Sequence, residues 1–127
     1  MTVLWHAQAG PRTLPNALTT ILSPPAMAQE INPVVVQKVI ITCTITATIG
    51  TTGGSVRMQI MQGTAGAIIA DGRMSGVAGQ GYSFMLRVED PPDFMANGGQ
   101  YRMRANGPSQ TATGTIDICD MTVESFP

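Results

Sequence analysis

From about Pro33 onward the chain alternates apolar and polar residues with a period of two. Val39, Ile41, Cys43, Ile45, Ala47 and Ile49 hold one phase, and Ile40, Thr42, Thr44, Thr46 and Thr48 hold the other. Successive side chains of a strand point to opposite faces, so this run predicts a strand with one buried side and one Thr-rich, half-exposed side. Residues 50–54 (GTTGG) read as a flexible turn, after which Val56, Met58 and Ile60 alternate with Arg57, Gln59 and Met61. That second run reads as the returning strand of a hairpin. A turn at residues 62–66 leads to a short strand over 67–70 (AIIA), ended by the turn dipeptide Asp71-Gly72. Residues 75–81 read as a small, Gly-rich loop. Tyr82, Phe84, Leu86 and Val88 then oppose Ser83, Met85, Arg87 and Glu89, until Asp90-Pro91-Pro92-Asp93 stops the strand. After Asn97-Gly98-Gly99, Tyr101, Met103 and Ala105 alternate with Arg102 and Arg104, and Asn106-Gly107-Pro108 turns again. A last strand is expected over about 113–124. Ile116 and Ile118 share one of its phases and Met121 and Val123 the other, which predicts a β-bulge near Cys119-Asp120.

Residues 1–33 read differently. Pro11, Pro15, Pro24 and Pro25 interrupt the segment, each disfavouring helix at the residue before it, and only residues 17–22 (ALTTIL) look capable of forming a strand. The expected division is an extended Pro-rich arm with one short strand over 1–33, followed by a sandwich over 34–127. Short strands between Gly, Pro and Asn turns, with no helical period, predict an all-β antiparallel sandwich, a jelly roll of about eight strands. An immunoglobulin-like sandwich is the rival. Its usual Trp lies between two bridged Cys, whereas the one Trp here, Trp5, lies in the arm.

Composition bears on the surface. At 127 residues the chain makes one domain. Charged residues amount to 12%, against about 25% in an ordinary soluble protein. A free monomer normally relies on charge for solubility, so neighbouring subunits are expected to cover part of this one. Thr, Ser, Gln and Gly on the outward phases temper that inference, because they keep the sheet faces polar without charging them. A net charge of −1 excludes a nucleic-acid binder driven by a basic surface. An apolar share of 43% excludes a disordered tail. No apolar run reaches the roughly 18 residues of a membrane-spanning helix, so no membrane partner is expected. Ala26-Met27-Ala28 imitates a signal-peptidase site, but a basic start is missing and prolines break the apolar core before it, so cleavage is not expected.

Candidate chemistry is sparse. His6, Cys43 and Cys119 are the only His and Cys residues, three against the four ligands of a structural zinc site and far apart in sequence. Neither a metal nor a cofactor is expected. Both cysteines sit in apolar strand patterns and read as buried reduced thiols, with one disulfide between them as the alternative. His6 is the only imidazole that can activate a nucleophile and it lies in the arm, so no catalytic residue is assigned and an enzyme is not expected. Residues 89–93 (EDPPD) offer the clustered oxygens that calcium takes, against the simpler reading of a solvated turn. Gly76, Gly79 and Gly81 lack the following helix of a phosphate cradle. Arg102 and Arg104 share a face, where they either pair with acids across a subunit boundary or face solvent. Val3, Leu4, Trp5, Leu14, Leu18 and Ile21 are the apolar points of the arm and the expected partner contacts, with Trp5 as anchor.

Three stretches form a set: residues 39–49 (VIITCTITATI), 82–91 (YSFMLRVEDP) and 101–124 (YRMRANGPSQTATGTIDICDMTVE). A Thr-rich strand, a strand ending in Asp-Pro, a Tyr-led strand and a closing strand ending in Val-Glu follow in that order. Over about residues 34–125 the set resembles small jelly-roll proteins of tailed-phage virions, in particular capsid decoration (cement) proteins and fibre-head modules. The resemblance implies a homotrimer, assembled in the host cytoplasm and held on the exterior of a virus particle. Its partner would be the major capsid protein or another virion protein. It transfers no site residues. The expected function is structural, binding and reinforcing a capsid surface by burying low-charge surface and by adding the arm's strand to an exposed sheet edge. A receptor- or glycan-binding fibre tip is the alternative, weakened by the inward phase of Tyr82 and Tyr101. On the structural reading, removing residues 1–16 leaves a folded sandwich that no longer attaches.

Overall fold

The alternation in the sequence becomes two sheets facing each other. A computed structural model describes residues 1–50, 54–63, 66–107 and 114–127. Its strands are β1 (Thr2–Ala9), β2 (Arg12–Thr13), β3 (Thr19–Leu22), β4 (Lys38–Thr48), β5 (Gly54–Gln62), β6 (Ile68–Gly76), β7 (Gly81–Asp90), β8 (Tyr101–Asn106) and β9 (Thr115–Phe126). A 3-10 turn at Ala28–Glu30 and a four-residue helix, α1 (Asp93–Ala96), interrupt them. One sheet runs β1-β9-β4-β7, with β2 also pairing β9; the other runs β3-β8-β5-β6. All pairings are antiparallel and nested: β1 with β9, β3 with β8, β4 with β7, β5 with β6. One long hairpin folded over on itself gives that nesting. This is the jelly-roll sandwich expected from the sequence, not the immunoglobulin-like rival.

The core lies between the sheets. Val39, Ile41, Cys43, Ile45 and Ala47 of β4 are each at most 1% exposed, and they meet Val56, Met58 and Ile60 of β5 and Tyr101, Met103 and Ala105 of β8. Each large apolar side chain buried in this way contributes about 1.5–3 kcal/mol. The fully buried Met58, Met95, Met103 and Met121 serve as the adaptable fillers their flexibility allows.

Residues 1–33 are not a separate arm. They supply three strands instead of one, and β1 pairs β9 from Thr2 opposite Ser125 to Ala9 opposite Cys119. Leu14 is 1% exposed in the shared core. The boundary expected after residue 33 therefore falls between two strands of one sandwich. A second difference concerns β5, which pairs β6 and β8 in the sheet opposite β4 instead of returning along it. A third concerns Asp71-Gly72, which sits inside β6 and makes no turn. Leu86 of β7 packs so closely there that a β-carbon on Gly72 would stand 2.7 Å from its Cδ2, and the ring of Tyr82 crowds Gly76 in the same way. These glycines let the edges of the two sheets approach at one corner. Finally, the bulge lies just before its expected place. Thr46 opposes Ile118 and Ala47 opposes Ile116, so Asp117 is the extra residue. Ile118 then points outward at 46% exposed, while Cys119 turns inward. The expected turn residues 51–53, 64–65 and 108, and the start of the last strand at 113, lie outside the described residues.

Because β1 and β2 cover the edge of β9, removing residues 1–16 is now expected to abolish cooperative folding. Circular dichroism should show no thermal transition for that truncation, and Leu14→Ala in the full chain should cost about 2–5 kcal/mol. A truncated chain that melts like wild type would contradict the pairing.

Candidate docking faces

The residues expected to anchor an arm are distributed through the sandwich. Leu14 is core, whereas Leu4, Trp5 and Ile21 are half-buried against it. Leu18 is half-buried and Val3 exposed at 53%. Trp5 opposes Val123 on the inward phase of β1, so much of its ring serves this chain's own packing.

The outer face of β3-β8-β5-β6 gathers cations. Arg57 of β5, Arg73 of β6, and Arg102 and Arg104 of β8 all take the outward phase. Arg57 and Arg73 stand directly opposite each other. Asp71 relieves that repulsion, accepting from Arg57 Nε at 3.0 Å and Nη2 at 2.6 Å. The guanidinium's hydrogen bonds hold the Asp71 pKa below the usual carboxylate range. Gln59 extends the network, donating to Asp71 at 3.3 Å and accepting from Arg104 Nη2 at 2.7 Å. Although Gln59 and Met61 take the outward phase, they are 1% and 4% exposed, opposite Arg104 and Arg102 in register. The Nε atoms of both arginines are buried without a protein hydrogen-bond partner. A shallow hollow is lined by Arg57, Asp71, Gly72 and Arg73. Arg102 and Arg104 were legible as a shared face, but Arg73 fell where the sequence reading put a turn and a loop. The alternation of Asp71, Arg73 and Ser75 with Gly72, Met74 and Gly76 is the signal that reveals it.

The opposite face, on β1-β9-β4-β7, is a field of threonines edged with acids. Thr44 donates to Asp120 at 2.8 Å, Thr48 and Thr115 donate to Asp117 at 2.7 and 3.0 Å, and Thr46 shares a hydrogen bond with Ser83. His6 Nε2 lies 3.9 Å from Asp120. The order Thr44, Asp120, His6 sets the carboxylate between hydroxyl and imidazole, whereas a catalytic triad needs the imidazole in the middle. Among the described residues no group of three or more His, Cys, Asp or Glu side chains could hold a metal ion.

A buried clasp fixes one end of both faces. Tyr101 and Gln62 of one sheet both donate to Asp90 at the end of β7 in the other, Gln62 at 2.8 Å. That carboxylate is turned inward, away from the calcium-binding arrangement weighed for residues 89–93. Burial, then the bond to Asp90 and its charge, push the Tyr101 hydroxyl pKa well above its ordinary value. Cys43 and Cys119 are free thiols, 0% and 1% exposed. They lie diagonally across β4 and β9, since Cys43 opposes Met121 and Cys119 opposes Ile45. Burial raises both thiols' pKa values.

No family model and no curated protein matches the sequence. Solved structures share its fold. A chain of the infectious bursal disease virus particle superposes with a TM-score of 0.58 at 7% identity, over 95% of this chain and 31% of that one. A chain of the disulfide-linked pili of Bacillus endospore appendages gives 0.52 at 15% identity, over 99% and 90%. Fisc, a Stig cyclase from Fischerella, gives 0.52 at 14% identity, over 94% and 58%. The chain thus spans under a third of the viral protein and under two thirds of the cyclase. At such identities the likeness is one of fold: a jelly-roll sandwich similar to that of a viral capsid.

The protonated Tyr101 is the form the fold favours. Its contribution is therefore complete below about pH 10 and lost as the pH climbs further, and the two thiols act in the same direction from about pH 8.5. Tyr101→Phe should cost about 1–3 kcal/mol at neutral pH, because Asp90 loses a donor. In denaturant titrations across alkaline pH, the gap between wild type and this variant should narrow above about pH 10. A gap constant with pH would contradict the clasp. Thiol reagents should label neither cysteine until the chain unfolds, and rapid labelling of the native chain would contradict their burial.

Proposed function

We propose that this chain is a structural protein of a virus particle, binding and reinforcing the capsid exterior as the decoration proteins of tailed phages do. The observation that carries the proposal is the jelly-roll wrap, shared with a chain of a viral particle. The Thr-rich face of β1-β9-β4-β7 adds support, since hydroxyls can hydrogen-bond across a contact without the desolvation cost of a buried charge. The match to a chain that forms pili points the same way. Attachment on this proposal uses the faces and edges of the sandwich, because β1 and β3 are committed to its sheets. The partners on this proposal are the major capsid protein or another virion protein, and further copies of the chain. An enzymatic role is not proposed, given the order of Thr44, Asp120 and His6.

A glycan-binding tip is less favoured by the aromatic residues. Tyr101 is buried, Phe94 packs on it with ring centroids 5.0 Å apart, and the Tyr82 hydroxyl is engaged by Gln80 and the Val77 amide. Purified chain added to particles produced without its gene should cosediment with them and raise the temperature at which they break open. A gold-labelled antibody should mark the outside of complete particles. Failure of both cosedimentation and labelling would overturn the proposal.

A further inference from the structure

The few charges of this chain are sorted by face. Four of its seven basic side chains, Arg57, Arg73, Arg102 and Arg104, stand on the outer face of β3-β8-β5-β6, and only Asp71 joins them, for a net +3. The opposite face carries Asp117, Asp120 and Glu124 along β9. Their register partners on β1 and β4 are Val3 and Ile40 for Glu124 and Gln8 and Thr44 for Asp120, while Thr48 bonds Asp117. None is a lysine or arginine. Two cations of that face, Lys38 and Arg87, both lie against Glu89, leaving a net −2 on the outward phase; Arg12 of β2 stands at the edge of the same sheet opposite the inward Ile116, and His6 lies 3.9 Å from Asp120. A surface charged only for solubility intersperses the two signs. With a total of −1, repulsion between whole molecules does not oppose their contact.

We propose that the arginine face of one copy docks on the carboxylate stripe of the next, directing Arg73, Arg102 and Arg104 toward Asp117, Asp120 and Glu124. This rests on the proposed role as a self-associating particle protein and names the surfaces that join its copies. Each face is four strands wide and about eight residues long, roughly 19 by 26 Å from standard strand spacing and rise. Docking two such faces removes about 1,000 Å² from water, the lower bound of a specific interface. The contact is therefore weak and sensitive to salt. Because the outer faces of a sandwich look in opposite directions, the contact propagates as a stack and does not close a ring.

Sedimentation of the wild-type chain at low salt should show dimers, trimers and longer species growing with concentration, and association roughly tenfold weaker at several hundred millimolar salt. Arg73→Glu with Arg102→Glu should leave a monomer, as should Asp120→Lys with Glu124→Lys. Mixing these two variants should restore association, since each then offers what the other's altered face requires. If either double variant fails to fold, Arg102→Gln and Glu124→Gln should each weaken wild-type association. A monomer at low salt, a single closed trimer indifferent to salt, or mixed variants that stay apart would overturn the contact. So would a chain that remains monomeric yet is captured by dextran sulfate, which assigns the arginines to a polyanion. Particles that bind a monomeric chain would overturn this contact alone and leave the decoration proposal standing.

Discussion

Strand β9 must find hydrogen-bond partners along both edges, and much of the molecule is arranged by that requirement. A strand in the interior of a sheet cannot leave its amides and carbonyls unpaired without a cost comparable to lost hydrogen bonds. The first 13 residues supply one edge, as β1 and β2, and β4 supplies the other. The two ends of the chain are thereby brought together, which closes the wrap. The bulge at Asp117 makes the arrangement compatible with a single core. Without the extra residue, the phase that buries Ile116 would turn Cys119, Met121 and Val123 to solvent. The hydroxyls of Thr48 and Thr115 hold the Asp117 carboxylate at that point, so the irregularity is anchored by its neighbours.

Closing the wrap leaves a further task, keeping the sheets together. At one corner, glycines at 72 and 76 admit Leu86 and Tyr82 from the facing sheet. At one end, Asp90 gathers Tyr101 and Gln62 across the gap. These are small devices with a common effect. They fix the sheets to each other from within, so the outward side chains are free to be chosen for contact with other molecules.

What the sequence made legible was phase. The inward and outward residues of β4, β7 and β8 follow directly from alternation of large apolar side chains with polar ones. Sheet membership was not legible, because β4 and β5 are adjacent in the chain yet belong to different sheets, and only long-range pairing decides that. β1 was hidden for a different reason. Trp5, Ala7 and Ala9 alternate with His6 and Gln8, but alanines give a faint apolar signal and the prolines that follow mask it. In β6 the turn propensity of Asp71-Gly72 was overridden by pairing with β5, with Leu86 packed close over Gly72. The basic face was missed through the same two gaps. Arg57, Arg87, Arg102 and Arg104 share outward phases, yet Arg87 belongs to the other sheet, and Arg73 was concealed in the supposed turn.

Sorting by sheet also changes what the low charge of the chain means. Scattered over both faces, so few charges would act only as sparse solubilising groups. Gathered by sign on opposite faces, they give each copy a front and a back. Exposed charge pairs are individually weak. Several acting together across otherwise uncharged surfaces chiefly fix orientation and reject like faces. On the proposed particle, which would hold many copies side by side, such contacts would be made at high effective concentration, so each could be weak in solution and still hold in the assembly. A jelly roll alone does not decide function, since a cyclase shares the fold. The placement of charge on its outer faces is what the proposed assembly of this sandwich rests on.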